Sequence, residues 1–356
     1  MTAFPAAPEP STARWPQEDL EALGECPLCG SHSRALLHSD MADRLFGTPG
    51  RWTLWRCGDC HSAYLDPRPD RGSIGRAYET YVTHESPTAP PDARGLTARL
   101  RRAVLNGYLN RRFGYRLKPA IGATAGLVDA LPYATSTDRF VRHLHFRGSR
   151  PSVLDFGCGN GDFLLLVDQL GWDARGVDFD EKAVALARDA GLAVNVGGLD
   201  AADRPEGGFD AITLGHVIEH LHDPVAFLSE ALGALRPGGM VWLATPNVES
   251  LGHRTFGSAY FGLDPPRHLV LFNRGSLQDA LRRAGFADVE PLRPGRDARW
   301  LFGLSLAIAH GRHPLDDPPA LPPGLRLKQA IAEAVSRRRP RAAEELIVAA
   351  WAPPGP

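Results

Sequence analysis

The sequence predicts an α/β protein whose larger part is a doubly wound parallel sheet, and three observations predict it. Beyond Arg150, short apolar segments alternate with amphipathic runs of about ten residues. A buried-type strand runs directly into a glycine-rich turn and then a helix, over Val153–Phe163. Two of the helical runs, EKAVALARDAG and PVAFLSEALGALRPGG, stop on glycine, the residue that ends a helix most cheaply. Strands separated by helices of this length pair in parallel through right-handed crossovers.

The elements follow in order. Residues 1–20 are rich in Pro, Ala and Glu and are expected to form a mobile leader. Residues 21–85 hold two cysteine pairs and short β-like pieces, RWTLWRC and SAYLD, among Pro and Gly breakers. SPTAPPDARG (86–95) has linker composition, and residues 86–150 are expected to be a linker and helical cap. Within it Leu100, Val104, Leu105, Tyr108, Leu109 and Phe113 recur at helical spacing between Gly95 and Lys118. The remaining unit, 151–356, has candidate strands SVLDF, DARGVDF, LAVNV, FDAITLG and GMVWLAT, then a helix SLQDALRRAG, ADVEPLR, and a last strand EELIVAAW.

Composition is that of an ordinary globular chain: 356 residues, 43% hydrophobic and 23% charged. The formal net charge of -1 gives no global pull toward nucleic acid or acidic membranes. Residues 1–15 lack the basic start and apolar core of a secretory signal. The apolar run at 300–309 is about half the length of a membrane span. A cytoplasmic location is therefore expected. Arg99, Arg101, Arg102, Arg111, Arg112, Arg116 and Lys118 line the helix in the cap. Such a run reads first as a solvated face and second as a phosphate-binding one.

Four of the five cysteines form two pairs, Cys26-Pro-Leu-Cys29 and Cys57-Gly-Asp-Cys60. Without an export signal a disulfide framework is not expected. Each pair can form a knuckle, with Gly30 and Gly58 supplying tight turns, and two knuckles complete a closed tetrahedral zinc site. A closed site leaves no position for water, so the zinc expected here is structural. His61 is a possible stand-in ligand. The fifth cysteine, Cys158, reads as a small packed thiol.

The glycine-rich turn is Asp155-Phe156-Gly157-Cys158-Gly159-Asn160-Gly161. Glycines let the backbone turn sharply and approach a ligand, and the helix that follows offers unpaired N–H groups. Ligands of open α/β sheets sit at the carboxyl ends of strands, where this loop lies. The spacing is not the dinucleotide fingerprint. The second strand ends Gly176-Val177-Asp178-Phe179-Asp180, which puts Asp178 beside the loop, where it can accept both hydroxyls of a ribose. The bland alternative for an aspartate here, capping the next helix, fits Asp180 better.

VLDFGCGNGDF, GVDFD, FDAITLGHVIEHLHDP and LRPGGMVWLATPN together resemble the successive motifs of class I S-adenosylmethionine-dependent methyltransferases, over about 95 residues. The nearest resemblance is to the group containing ubiquinone-biosynthesis and natural-product methyltransferases, which also have a stretch like Asp264-Pro265-Pro266-Arg267-His268-Leu269. The resemblance implies a seven-stranded sheet with a reversed last strand, and a helical insertion at about 295–343 as a lid. It implies that Asp155, Gly157, Gly159 and Gly161, with Phe156 and Cys158 in the same loop, cradle the methionine part of the cofactor. Asp178 then holds the ribose, Phe179 packs on the adenine, Asp200 approaches the adenine amino group, and His216 lies near the sulfonium. The four-cysteine ribbon resembles the N-terminal part of sugar C-methyltransferases, which are longer at their C-terminus.

Methyl transfer needs alignment of the acceptor and, where necessary, removal of its proton. Histidine suits that task, and His216, His220, His222, His253 and His268 are candidates, with Tyr260 as a partner. His268, after two prolines in a rigid turn, and His216 lead. Glu219-His220 also reads as a structural pair. Related ubiquinone-pathway enzymes hold a divalent cation with an acidic pair and a following histidine; here the positions read His216-x-x-Glu219-His220, a departure from that pattern. The function expected is methyl transfer to a small secondary-metabolite acceptor. The alternatives are an RNA methyltransferase, a cyclisation or elimination enzyme on this fold, and a non-catalytic cofactor-binding partner.

Overall fold

A computed structural model describes residues 13–79, 95–122, 128, 133–294, 298–315, 319–338 and 342–355. Most of the expected leader, the linker residues 86–94 and the start of the expected insertion, 295–297, lie outside the described residues.

The strands β1 (Leu20–Glu21), β2 (Arg34–Met41), β3 (Trp52–Cys57), β4 (Ala63–Leu65) and β5 (Arg68–Pro69) come first, followed by helices α1 (Leu96–Phe113) and α2 (Tyr133–Phe140). Then strands and helices alternate: β6 (Ser152–Phe156), α3 (Asp162–Gln169), β7 (Asp173–Asp178), α4 (Glu181–Asp189), β8 (Ala193–Val196), β9 (Phe209–Gly215), α5 (Pro224–Ala234) and β10 (Leu235–Pro246). The chain continues through α6 (Leu251–Phe256), β11 (Val270–Leu271), α7 (Arg274–Arg283), β12 (Asp288–Pro291), α8 (Ala298–Ala309), α9 (Pro323–Arg338) and β13 (Glu345–Trp351).

Seven strands form one sheet in the order β12-β13-β10-β9-β6-β7-β8. Strands β6 to β10 pair in parallel, and β13 runs against both of its neighbours. The fold class is therefore the expected doubly wound, mostly parallel sheet with its last strand reversed. Reversal has a consequence for the site: Glu345, at the start of β13, pairs with Pro246 at the carboxyl end of β10. Side chains at the beginning of the last strand thus arrive where the parallel strands end.

The central strands are apolar and buried because helices cover both faces. Alternate residues of β13 divide between them, Leu346 and Val348 into one core and Ile347 and Ala349 into the other. The second core takes α1 through Tyr108, Leu109 and Phe113. Only the later half of that helix is packed: Leu100, expected on its apolar side, is 56% exposed, and Leu96 nearer its start 83%. The seven basic residues of the run are all exposed, as expected of a solvated face.

The N-terminal strands form a second sheet, ordered β11-β4-β3-β2, whose fourth strand comes from the distant segment 270–271. Fully buried Arg267 fastens the segment that leads into β11 to the N-terminal unit. Its guanidinium donates to both oxygens of Asp43 at 2.9 Å, to Asp264 and to the Ala77 carbonyl. Of the expected leader, residues 13–20 are described. Trp15 is buried, its indole edge on Trp52 at 5.6 Å, because a large apolar ring is stabilised more by packing than by solvent, and Leu20–Glu21 pairs with β5.

Candidate functional site

The turn after β6 takes positive φ at Gly157, Gly159 and Gly161. A Cβ on Gly157 would stand 2.5 Å from the Val217 side chain, and one on Gly161 2.5 Å from that of Leu192. No other residue fits either place without displacement. Across the turn, Asp178 ends β7. Its Oδ2 accepts from the Gly159 N–H at 2.8 Å and its Oδ1 from the Asp180 N–H at 2.9 Å. Each oxygen keeps lone-pair capacity, and the carboxylate is half-buried at the mouth of the loop. Asp180 caps α4, accepting from Lys182 and Ala183, which separates the two aspartates' roles.

Phe179 is 69% exposed, an uncovered ring edge-on to Phe156 at 6.3 Å. Phe156 itself is buried behind the loop against Phe227. Asp200 is exposed in a single helical turn, Leu199–Ala201, that follows β8. Cys158 is packed against Gly176, and burial pushes its thiol up, away from a reactive thiolate. The loop, Asp178, Phe179 and Asp200 therefore share the carboxyl-end rim of β6, β7 and β8.

Asp155 faces inward, at 1% exposure, and accepts from the Thr213 hydroxyl at 2.9 Å and from the Arg142 guanidinium. Burial pushes its carboxyl up and the Arg142 charge opposes that. Arg142 also donates to Thr213 at 2.8 Å and lies 3.6 Å over the Phe163 ring. The charged group next to Gly215, where β9 ends, is thus this guanidinium and not the Asp155 carboxylate. Sequence reasoning missed Arg142, because it lies in the irregular chain after α2.

His216 follows β9 with φ of 57°, an unusual conformation for a non-glycine residue. Its Nε2 is 2.8 Å from Glu345 and its Nδ1 3.5 Å from Glu219. Burial disfavours the imidazolium, but the Glu219 and Glu345 carboxylates outweigh it and raise the pKa to about 10. Both carboxylates are held low, to about 2, against the opposing effect of burial, and Arg139 adds two 2.7 Å bonds to Glu345. Glu345 and Arg139 also escaped sequence reading. The signal for Glu345 was the acidic pair at the head of a strand expected to be reversed.

Glu219 is fully buried. Its Oε2 accepts from Thr245 at 2.9 Å, and Oε1 has no hydrogen-bond partner. His268 Nδ1 lies 2.9 Å from the Gly262 carbonyl, which fixes the proton there and leaves Nε2 with its lone pair, 3.9 Å from Glu219 Oε1. His220 Nδ1 contacts the Arg267 carbonyl and the Tyr78 hydroxyl, each at 3.0 Å, and burial lowers its pKa to about 4. Ligand atoms of Glu219, His220 and His268 lie within 4.8 Å of one another. Tyr260 is buried, donating to Glu344 at 3.0 Å. His222 and His253 are tied to the carbonyls of Pro69 and Val248, away from this group.

The four knuckle cysteines converge. Cys26 and Cys60 sulfurs are 3.7 Å apart, and Cys29 and Cys57 3.5 Å. A zinc tetrahedron with bonds of about 2.3 Å has edges of about 3.8 Å, so the spacing and the all-thiol donor set fit that ion. His61 is exposed and outside this cluster.

Residues 128–290 match the family profile described as a methyltransferase domain. A probable S-adenosylmethionine-dependent methyltransferase from Mycolicibacterium smegmatis is 33% identical over 175 residues, covering 48% of this chain and 63% of that one. A ubiquinone biosynthesis O-methyltransferase from Pseudomonas aeruginosa is 34% identical over 102 residues, covering 27% and 44%. The chain thus spans between about half and two thirds of the curated relatives it matches. Among solved structures, a SAM dependent methyltransferase from Archaeoglobus fulgidus superposes with TM-score 0.42 at 20% identity, covering 62% of this chain and 93% of that one.

Proposed function

We propose that this chain, which carries a class I S-adenosylmethionine-dependent methyltransferase domain, transfers a methyl group to a small-molecule acceptor. The observation that carries the proposal is the glycine loop with Asp178 at the carboxyl ends of β6 and β7: a turn whose Gly157 and Gly161 leave no room for a Cβ against Val217 and Leu192, beside a carboxylate with lone pairs to spare. S-adenosylmethionine, when bound, supplies a methyl group activated by positive sulfur. To hold it, Asp178 would accept from the ribose hydroxyls, Phe179 would cover the adenine, Asp200 would serve its amino edge, and Arg142, balanced by Asp155, would pair with the methionine carboxylate.

Of the histidines, His268 is the one we assign to proton removal. Its Nδ1 is held by the Gly262 carbonyl at 2.9 Å, which leaves Nε2 as the ring atom turned toward Glu219, 3.9 Å away. His216 lies between two carboxylates, Glu345 at 2.8 Å and Glu219 at 3.5 Å, a setting that favours its charged form and suits it to orient groups and not to take a proton. His220 and Tyr260 support the same wall through their bonds to Arg267 and Glu344.

The cysteine cluster is assigned one structural zinc, making residues 21–85 a ribbon, 86–150 a linker and cap, and 151–356 the catalytic unit with α8 and α9 as a lid. A small acceptor is favoured over RNA by the -1 net charge and by arginines that lie along a solvated helix face. No helix among the described residues is long and apolar enough to cross a membrane. A second reading concerns the partnerless Glu219 Oε1, which with His220 and His268 has the donors for a divalent cation. Manganese titration followed by paramagnetic resonance tests it, and an unchanged free-ion signal excludes it.

The test of the main proposal is the product's mass and connectivity after incubation with cofactor and candidate acceptors. A gain of one methyl supports transfer. Changed connectivity with no gain assigns the fold to cyclisation or elimination, and no change in any acceptor leaves only cofactor binding.

A further inference from the structure

We infer that the four-cysteine site is a positioning element for the segment that carries His268, an inference that rests on the zinc assignment above. The second knuckle leads directly into β4, which pairs with β11 two residues beyond His268. Tyr64 lies opposite Val270 and Ala63 opposite Leu271, and the Leu65 N–H donates to the Leu269 carbonyl at 3.0 Å. Two side chains then reach back to the knuckles themselves. Asn273, which also caps α7, donates from Nδ2 to the Cys60 carbonyl at 2.7 Å. Arg283 of α7 donates to the Leu28 carbonyl, between the cysteines of the first knuckle. Both knuckles are therefore bonded to residues 269–283.

The other side of this segment faces the site. The Leu269 N–H donates to the Glu219 carbonyl at 2.9 Å, and the Val248 N–H to the Phe272 carbonyl at 3.0 Å. His268 stands at the start of a short stretch bonded on one side to the cysteine knuckles and on the other to the loops after β9 and β10. Strand β11 is only two residues long and cannot hold its place alone. The cross-link between knuckles supplies the missing rigidity, since metal binding of this kind orders the loops that ligate it. Removing it frees β4, then β11, then the His268 ring. The cofactor loop after β6 makes no bond to either knuckle and keeps its geometry.

The experiment is hydrogen exchange on the full chain, metal-replete and after stripping with a thiol-displacing agent and chelator. Metal analysis of the starting protein comes first. A chain purified folded without metal overturns the zinc assignment and this inference together. With metal present, stripping is expected to lower the protection of amides 269–273 at least about tenfold. Strands β6 and β9 keep theirs, and cofactor affinity stays within about twofold. Unchanged protection at 269–273 overturns the inference while leaving the zinc assignment intact. Equal loss in β6 and β9 also overturns it, because the metal then stabilises the whole fold. Asn273→Ala keeps its metal and should loosen the same amides; a variant with the wild-type exchange pattern counts against the coupling.

Discussion

Asp178→Ala separates the ribose role of this carboxylate from its structural one. In the wild-type chain the side chain accepts from the backbone N–H groups of Gly159 and Asp180. Both groups lie at the rim of the loop, so water replaces the lost acceptors and the fold loses only about 1 kcal/mol. The ribose loses two hydrogen bonds to a charged acceptor, each worth about 1.5–3 kcal/mol. A total near 3 kcal/mol corresponds to roughly a 100-fold or greater rise in the dissociation constant for S-adenosylmethionine, which takes binding out of an ordinary calorimetric window. Calorimetry with S-adenosylmethionine and with S-adenosylhomocysteine measures it, and circular dichroism confirms the fold. The control is Asp180→Ala, which removes the cap of α4. It should cost about 1 kcal/mol of stability and leave affinity unchanged. A folded Asp178→Ala protein whose affinity lies within threefold of wild type would refute the ribose assignment.

Three further outcomes follow from the same geometry. Arg267→Ala strands Asp43 and Asp264 in a buried interface, so chemical denaturation should show about 3–5 kcal/mol of lost stability; a loss under 1 kcal/mol contradicts the fastening role. His216 has its pKa raised to about 10, so the stability it adds is complete below pH 6.5 and declines as pH rises through 10. Its side chain is 48% exposed and screened by solvent, which limits the effect to about 1 kcal/mol. Melting curves from pH 6 to 10 should show that decline in wild type and not in His216→Ala. Elemental analysis should find about one zinc per chain, lost in Cys26→Ser, and a metal-free protein that melts at the wild-type temperature contradicts the structural role.

Much of the frame could be read from the sequence because its signals are local. The strand SVLDF and its glycine turn, Asp180 as a cap and the two knuckles each depend on residues within a few positions of one another. What escaped depends on contacts over long sequence separations. Arg139 and Glu345 are 206 residues apart, and Arg142 meets Thr213 across 71. The edge strand β2 was not anticipated, since it is mostly exposed and Leu36 points to solvent at 56%. Strand β11 has only two residues and acquires its identity by pairing with β4, roughly 200 residues earlier in the chain, in the N-terminal sheet. For His216 the sequence alone shows an imidazole near a strand end. The Glu345 carboxylate 2.8 Å from it arrives only through the reversed last strand.

Methyl transfer to a small molecule is tested most directly by following the label from methyl-labelled S-adenosylmethionine. The purified chain is incubated with a small-molecule extract and total RNA together, and the two fractions are then separated. The account predicts label in the small-molecule fraction, with S-adenosylhomocysteine formed in equal amount and both signals lost in Asp178→Ala. Label recovered in RNA, or cofactor that is bound and never consumed, would contradict it.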